Sequence, residues 1–84
     1  MTPDKTTVTV EGPAGFRADF ELPLTVPFGK WKGPFIELLR QMDAGLFGNW
    51  ADLQLKIGDI PVTTQETLAQ HAAWDGSILK ITRC

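Results

Sequence analysis

The chain has no tyrosine, a single histidine (His71) and a single cysteine (Cys84), and each shortage removes a class of function. A lone cysteine cannot close an internal disulfide, in keeping with a reducing compartment. His71 and Cys84 form no C-x-x-C or H-x-x-x-H spacing, so no metal site is expected. The same two residues are the sole candidates for a nucleophile and its imidazole base. Pairing them would require the C-terminal tail to fold back onto a short helical segment, with no third group to orient the pair. They are read as a solvated histidine and a mobile thiol, and no enzyme is expected.

The glycines spell neither G-x-G-x-x-G nor G-x-x-x-x-G-K-[ST], so Gly12-Pro13-Ala14-Gly15 is a hairpin turn and not a phosphate cradle. No cofactor and no small-molecule substrate are expected. The carboxylates are scattered, and the close strand pair Asp19 and Glu21 is expected to meet basic residues on neighbouring strands. Eight Lys and Arg against ten Asp and Glu give a net charge of -2, without the basic footprint of a nucleic-acid binder. No apolar run approaches the roughly 20 residues of a membrane span. Met1 to Lys5 lacks the charged-then-apolar order of a secretory signal. Neither nucleic-acid binding nor membrane insertion is expected, and a cytoplasmic location follows.

The patterns that are present describe one small domain, 1–84, with an ordered core over about 6–83. Val8 and Val10 alternate with threonines, and Ala18, Phe20 and Leu22 alternate with charged residues across the Gly/Pro turn, which predicts a hairpin. Leu53, Leu55 and Ile57 form a third half-buried strand. Gly58-Asp59 turns the chain, and Pro61 restricts Ile60–Val62 to an edge, since proline cannot donate to a ladder. Thr63 and Glu66 have capping-box spacing ahead of a short helix anchored by Leu68. Asp75-Gly76 is a turn, and Leu79 and Ile81 belong to a closing strand.

The longest periodic segment is Phe28, Trp31, Phe35, Leu38, Leu39 and Met42, one stripe of a helix, of which Phe28, Trp31, Phe35, Leu38 and Leu39 are expected to be buried against Val8, Phe20, Leu55, Leu79 and Ile81. Thr25 is the expected N-cap and Gly45 the expected C-cap. Gly33-Pro34 falls in mid-helix, where an interior proline costs about 3 kcal/mol. The segment is therefore expected to kink there or to begin only at Pro34.

Strand, strand, helix, strand, short strand, short helix, strand is an α+β order that resembles ubiquitin. It implies a β-grasp fold, a mixed four- to five-stranded sheet with one main helix across one face and a short second helix. Gly48-Asn49-Trp50 before the third strand, Pro34 ahead of Phe35-Ile36, and Asp75-Gly76-Ser77-Ile78-Leu79 make the chain most similar to the YukD-type ubiquitin-like proteins of bacterial type VII secretion and the ubiquitin-like domain of their membrane component. Ubiquitin-type modifiers are activated at a Gly-Gly tail. No glycine follows Gly76, and Arg83-Cys84 places side chains where an activating channel accepts none. The apolar receptor patch of ubiquitin is replaced by Gln54, Lys56, Lys80 and Thr82.

The resemblance implies a non-covalent protein-interaction module, an adaptor in a type VII-like secretion system with a protein partner. A bacterial modifier with an atypical tail, reacting through Cys84 or a nonstandard terminal residue, and a β-grasp regulatory subunit of a multicomponent oxygenase are the alternatives. Three tryptophans in 84 residues stand out. Leu46, Phe47, Trp50 and Trp74 are the candidate partner-binding residues, because aromatic anchors dominate interfaces. The loop carrying the first three is also able to close inward as a lid on the core. Lys30 and Lys32, flanking Trp31, read as a solvated helix face.

Overall fold

In a computed structural model, which describes residues 5–73 and 75–84, strands β1 (Lys5–Glu11) and β2 (Arg17–Pro23) form the expected hairpin, with Val8 opposite Phe20 and Val10 opposite Ala18. Helix α1 (Phe28–Met42) follows, then a single turn of helix, α2 (Ala44–Phe47). Strands β3 (Leu53–Ile57), β4 (Ile60–Val62) and β5 (Ile78–Arg83) complete a five-stranded sheet in the order β2-β1-β5-β3-β4. β1 and β5 are parallel at its centre, and the other pairings are antiparallel. The Pro61 strand lies at an edge, where its missing N–H leaves no gap in the ladder.

Strand alternation sends Val8, Val10, Phe20, Leu22, Leu55, Leu79 and Ile81 to one face, which α1 covers with Phe28, Trp31, Phe35 and Leu39. The aromatic rings meet edge to face, Phe20 on Phe35 at 5.3 Å and Phe28 on Trp31 at 4.9 Å between centroids. The Trp31 indole N–H donates to the Val26 carbonyl at 3.1 Å, so the buried ring carries no unpaired donor.

Four expectations for this region are corrected. α1 neither breaks nor begins at Pro34: it runs unbroken for 15 residues, with Pro34 on its exposed side. The stripe from Phe28 to Leu39 is buried on both sides of the proline and holds the two halves in one helix. Thr25 does not cap it. Pro27 occupies that position, and the Phe28 and Gly29 amides donate to the Glu66 and Thr64 carbonyls, each at 2.9 Å, so a distant loop satisfies the helix start. Gly45 does not end it, since Asp43 is the C-terminal cap and Gly45 lies within α2.

Leu38 and Met42 are not in the core, being 42% and 50% exposed, whereas Ile36 is buried. At ~100° per residue Leu38 and Ile36 lie on opposite flanks of the stripe, roughly 65° and 95° from the centre of its buried residues, so periodicity favours Leu38 and the tertiary structure reverses the order. The flank of Ile36 also carries Lys32 and Arg40, one turn away on either side. These bind Asp52 and the Trp50 carbonyl, which brings the segment after α2 over Ile36. Nothing comparable covers Leu38. Leu39→Ala should therefore cost about 2–5 kcal/mol in urea unfolding, while Leu38→Ala should stay within about 0.5 kcal/mol. Equal losses would mean that the Leu38 flank is covered after all.

Candidate protein-interaction surface

The expected aromatic surface begins where α1 ends. The Asp43 N–H donates to Leu39 O, closing α1, and its carboxylate accepts from the Leu46 N–H at 3.0 Å, opening α2. The next turn is tight. A Cβ on Gly48 would lie 2.4 Å from the Ala44 carbonyl oxygen, a backbone atom with no room to yield, so glycine is required by contact. The turn drives Phe47 inward, where it is fully buried, edge-on to Phe16 at 4.8 Å and to Trp50 at 4.9 Å. Trp50 itself is only 5% exposed.

The loop is pinned from outside by α1. The Arg40 guanidinium donates to the Trp50 carbonyl and pairs with Glu37. Lys32 Nζ sits 2.9 Å from Asp52 Oδ1 and 5.9 Å from the centroid of the Phe28 ring. Lys32 is thus no free member of a solvated face. The reading of Phe47 and Trp50 as exposed partner anchors is corrected in the same way: they are core residues, and of that loop only Leu46 is half-exposed. Trp74 lies outside the described residues. Cys84 is exposed, its backbone N–H reaching the Asp52 carbonyl at 3.3 Å.

A concave surface does form beside this loop, for a topological reason. β1 pairs with β5 as far as Glu11 opposite Lys80, then turns away at Gly12, while β5 continues to Arg83 with only β3 beside it. The Thr9 N–H donates to the Ser77 carbonyl, and alternate strand residues direct their backbone groups to the same edge. The backbone groups of Ile81 and Arg83 therefore face the side that β1 has left. Pro13, next in β1's path, has no N–H to offer. The result is a cleft of about 620 Å³, bounded by Gly12 and Pro13, by Leu46 and Trp50, and by the last four residues of β5.

Its rim is basic. Lys80 and Arg83 line it, while the carboxylate of Glu11 is 3.6 Å from Arg17. On the outer sheet face Lys80 stands between Lys56 on β3, a like-charge neighbour, and Glu11 on β1.

Elsewhere the polar side chains serve the fold. Asp75 Oδ1 accepts from the Thr7 N–H at 2.9 Å and the Thr6 hydroxyl at 2.8 Å, and Gly76, at φ +89°, returns its own N–H to the Thr7 carbonyl. Glu66 makes its half of the expected capping box, accepting the Thr63 N–H at 2.9 Å. The helical turn itself, a 3-10 turn over Ala69–His71, is capped by a second box: the Thr67 N–H donates to Gln70 Oε1 and the Gln70 N–H to Thr67 Oγ1. The sequence carries that signal too, as Thr67-Leu68-Ala69-Gln70 repeats the spacing of Thr63 to Glu66.

His71 is not solvated. Its side chain is 11% exposed, with Nε2 3.1 Å from Glu66 Oε1 but outside good hydrogen-bond alignment. It precedes β5 and Cys84 follows it, and no hydrogen bond or ion pair joins the two side chains. Among the described residues no three His, Cys, Asp or Glu side chains converge as a metal would require, and no helix is long and apolar enough to cross a membrane.

The EccD5 ubiquitin-like domain of Mycobacterium xenopi superposes with a TM-score of 0.79 at 18% identity, over 98% of this chain and 97% of that one. The fold is the ubiquitin-like β-grasp. The ubiquitin-like domain of the Mycobacterium tuberculosis type VII secretion protein EccD1 shares this β-grasp with a TM-score of 0.73 at 20% identity, over 93% of this chain and 97% of that one. A subunit of the MycP5-free ESX-5 inner membrane complex contains it as well, with a TM-score of 0.80 and 19% identity; the chain covers 98% of itself and about a fifth (21%) of that subunit. No protein-family model and no curated protein matches the sequence.

The contacts of the β-grasp also set its acid response. The Thr7 N–H and Thr6 hydroxyl hold the Asp75 carboxyl below its usual value of 3.8. The Thr63 N–H, then His71, do the same for Glu66, and Lys32, then the Leu53 N–H, for Asp52. With folded-state values depressed, the unfolded chain takes up protons first as pH falls. The stabilisation is complete above the ordinary carboxylate range and is lost as pH drops through the lowered values. The urea midpoint should thus be level from about pH 7 to 5 and fall below about pH 4, less steeply in Asp75→Asn. Identical profiles for the two proteins would remove Asp75 from this account.

Proposed function

We propose that this chain is a ubiquitin-like protein-interaction module, a single domain over 1–84 that acts non-covalently and without catalysis as an adaptor in the cytoplasmic part of a type VII-like secretion system. The observation that carries this reading is the β-grasp shared over nearly the whole length of the chain with the ubiquitin-like domains of EccD1 and EccD5. The side-chain chemistry agrees with it. Many polar residues of the described chain serve turns, caps and inter-element clamps, and what the molecule leaves available is a cleft with a basic rim and an apolar wall.

Co-expression with the membrane ATPase and membrane subunits of a type VII secretion system from the same organism provides the test. The chain should co-purify with one of them in a complex that denaturant separates, with its intact mass unchanged. A covalent adduct, or a failure of every component to retain it, would overturn the reading.

A further inference from the structure

The cleft beside β5 is a place in the sheet that the chain leaves unfilled. The Ile81 carbonyl and the Arg83 N–H and carbonyl face it beyond the last β1 partner, Glu11 opposite Lys80. An extended segment laid there would continue the line of β1, hydrogen-bonding through its main chain as strands added to a free edge do. The side chains around the slot define its chemistry. Leu46, Trp50 and Pro13 wall the inner side with apolar surface. Lys80 lines the outer side with Lys56 across the ladder from it, and Arg83 closes the end. Among the described residues none of these three cations forms an ion pair, and the one acid at the slot, Glu11, stands across the ladder from Lys80 with its carboxylate turned to Arg17 at 3.6 Å.

We propose that this cleft receives an extended acidic segment of a partner protein, added as a strand beside Ile81–Arg83 in the place that β1 vacates at Gly12. Carboxylates of the segment would meet Lys80 and Arg83, and its alternate apolar side chains would pack on Leu46 and Trp50. The proposal rests on the interaction-module reading, and it places the contact on strand-end backbone, basic rim and the edge of Leu46 and Trp50 that lines the cleft, with Phe47 left in the core.

The test is a titration of the 15N-labelled chain, followed by amide NMR, with an acetylated and amidated nonapeptide probe, Glu-Val-Asp-Leu-Glu-Val-Asp-Leu-Glu. A second probe carries lysine at every acidic position. The acidic probe should shift the Gly12, Leu46, Asn49 and Arg83 amides, slow exchange of the Arg83 N–H, and bind about tenfold more weakly to Arg83→Glu, whereas the lysine probe should not bind. The amide spectrum of Arg83→Glu reports at the same time that the variant is folded.

Shifts confined to the flank of Leu38 and Met42 or to Gln54 and β4 would overturn the placement. So would equal binding of the two probes, absence of shifts at roughly millimolar probe, an affinity for weak segments, or the same shifts produced by concentrating the chain alone, which would make a second copy the occupant. Capture of Arg83→Glu by the secretion components at the wild-type level would likewise defeat this inference while the module reading stands. Probe binding at the cleft with no capture of the wild-type chain would defeat the module reading instead.

Discussion

The carboxylate of Asp75 accepts the hydroxyl of Thr6 and the N–H of Thr7, residues 69 and 68 positions away, and these bonds set the last strand beside the first. Everything else in the sheet is arranged around that parallel pair. β2 joins it through a hairpin on the β1 side, β3 and β4 join on the β5 side, and α1 crosses between. A parallel neighbour cannot be reached by a tight turn, so the whole chain is the connection, and its closure entropy is offset by the central core residues Val8, Val10, Leu79 and Ile81. Thr6 is the one polar residue buried among the described residues, and Asp75 satisfies its hydroxyl. The Asp75-Gly76-Ser77 turn is therefore a clamp that the central pairing needs, which accounts for its place in the resemblance to ubiquitin-like proteins.

The same pairing creates the cleft. β1 has to leave β5 at Gly12 to make its hairpin, and β5 has to run on to Arg83 to finish its ladder with β3. Two ladders of unequal length sharing one strand leave a strip of backbone without a neighbour. In an edge strand such a strip invites unselective pairing. Here it is recessed between a proline turn and the α2 loop and carries Lys80 and Arg83 at its rim.

The aromatic residues Phe47 and Trp50 serve the core and not the exposed partner surface that the sequence suggests. Phe16, Phe47 and Trp50 form a second aromatic group at the end of α1, and Arg40 and Lys32 reach out from the helix to hold the chain segment that carries Trp50. This closes the flank of Ile36 and leaves the flank of Leu38 open. The two charged side chains act on packing, since each fixes the position of a backbone segment over apolar surface.

Sequence by itself determined the strands, the hairpin, the edge position of the Pro61 strand, the main helix and the core face of the sheet. These follow from periods of 2 and 3.6 and from turn chemistry, which are local properties. Tertiary structure decided which flank of the α1 stripe is covered, because the period favours Leu38 and only the segment held over Ile36 reverses that order. It decided that Thr64 and Glu66 carbonyls, and not Thr25, satisfy the start of α1, and that Pro34 lies within a continuous helix. The cleft was illegible for the same reason. It consists of backbone groups on β5 left unpaired by the exit of β1, and no pattern along one strand records how far its neighbour follows it.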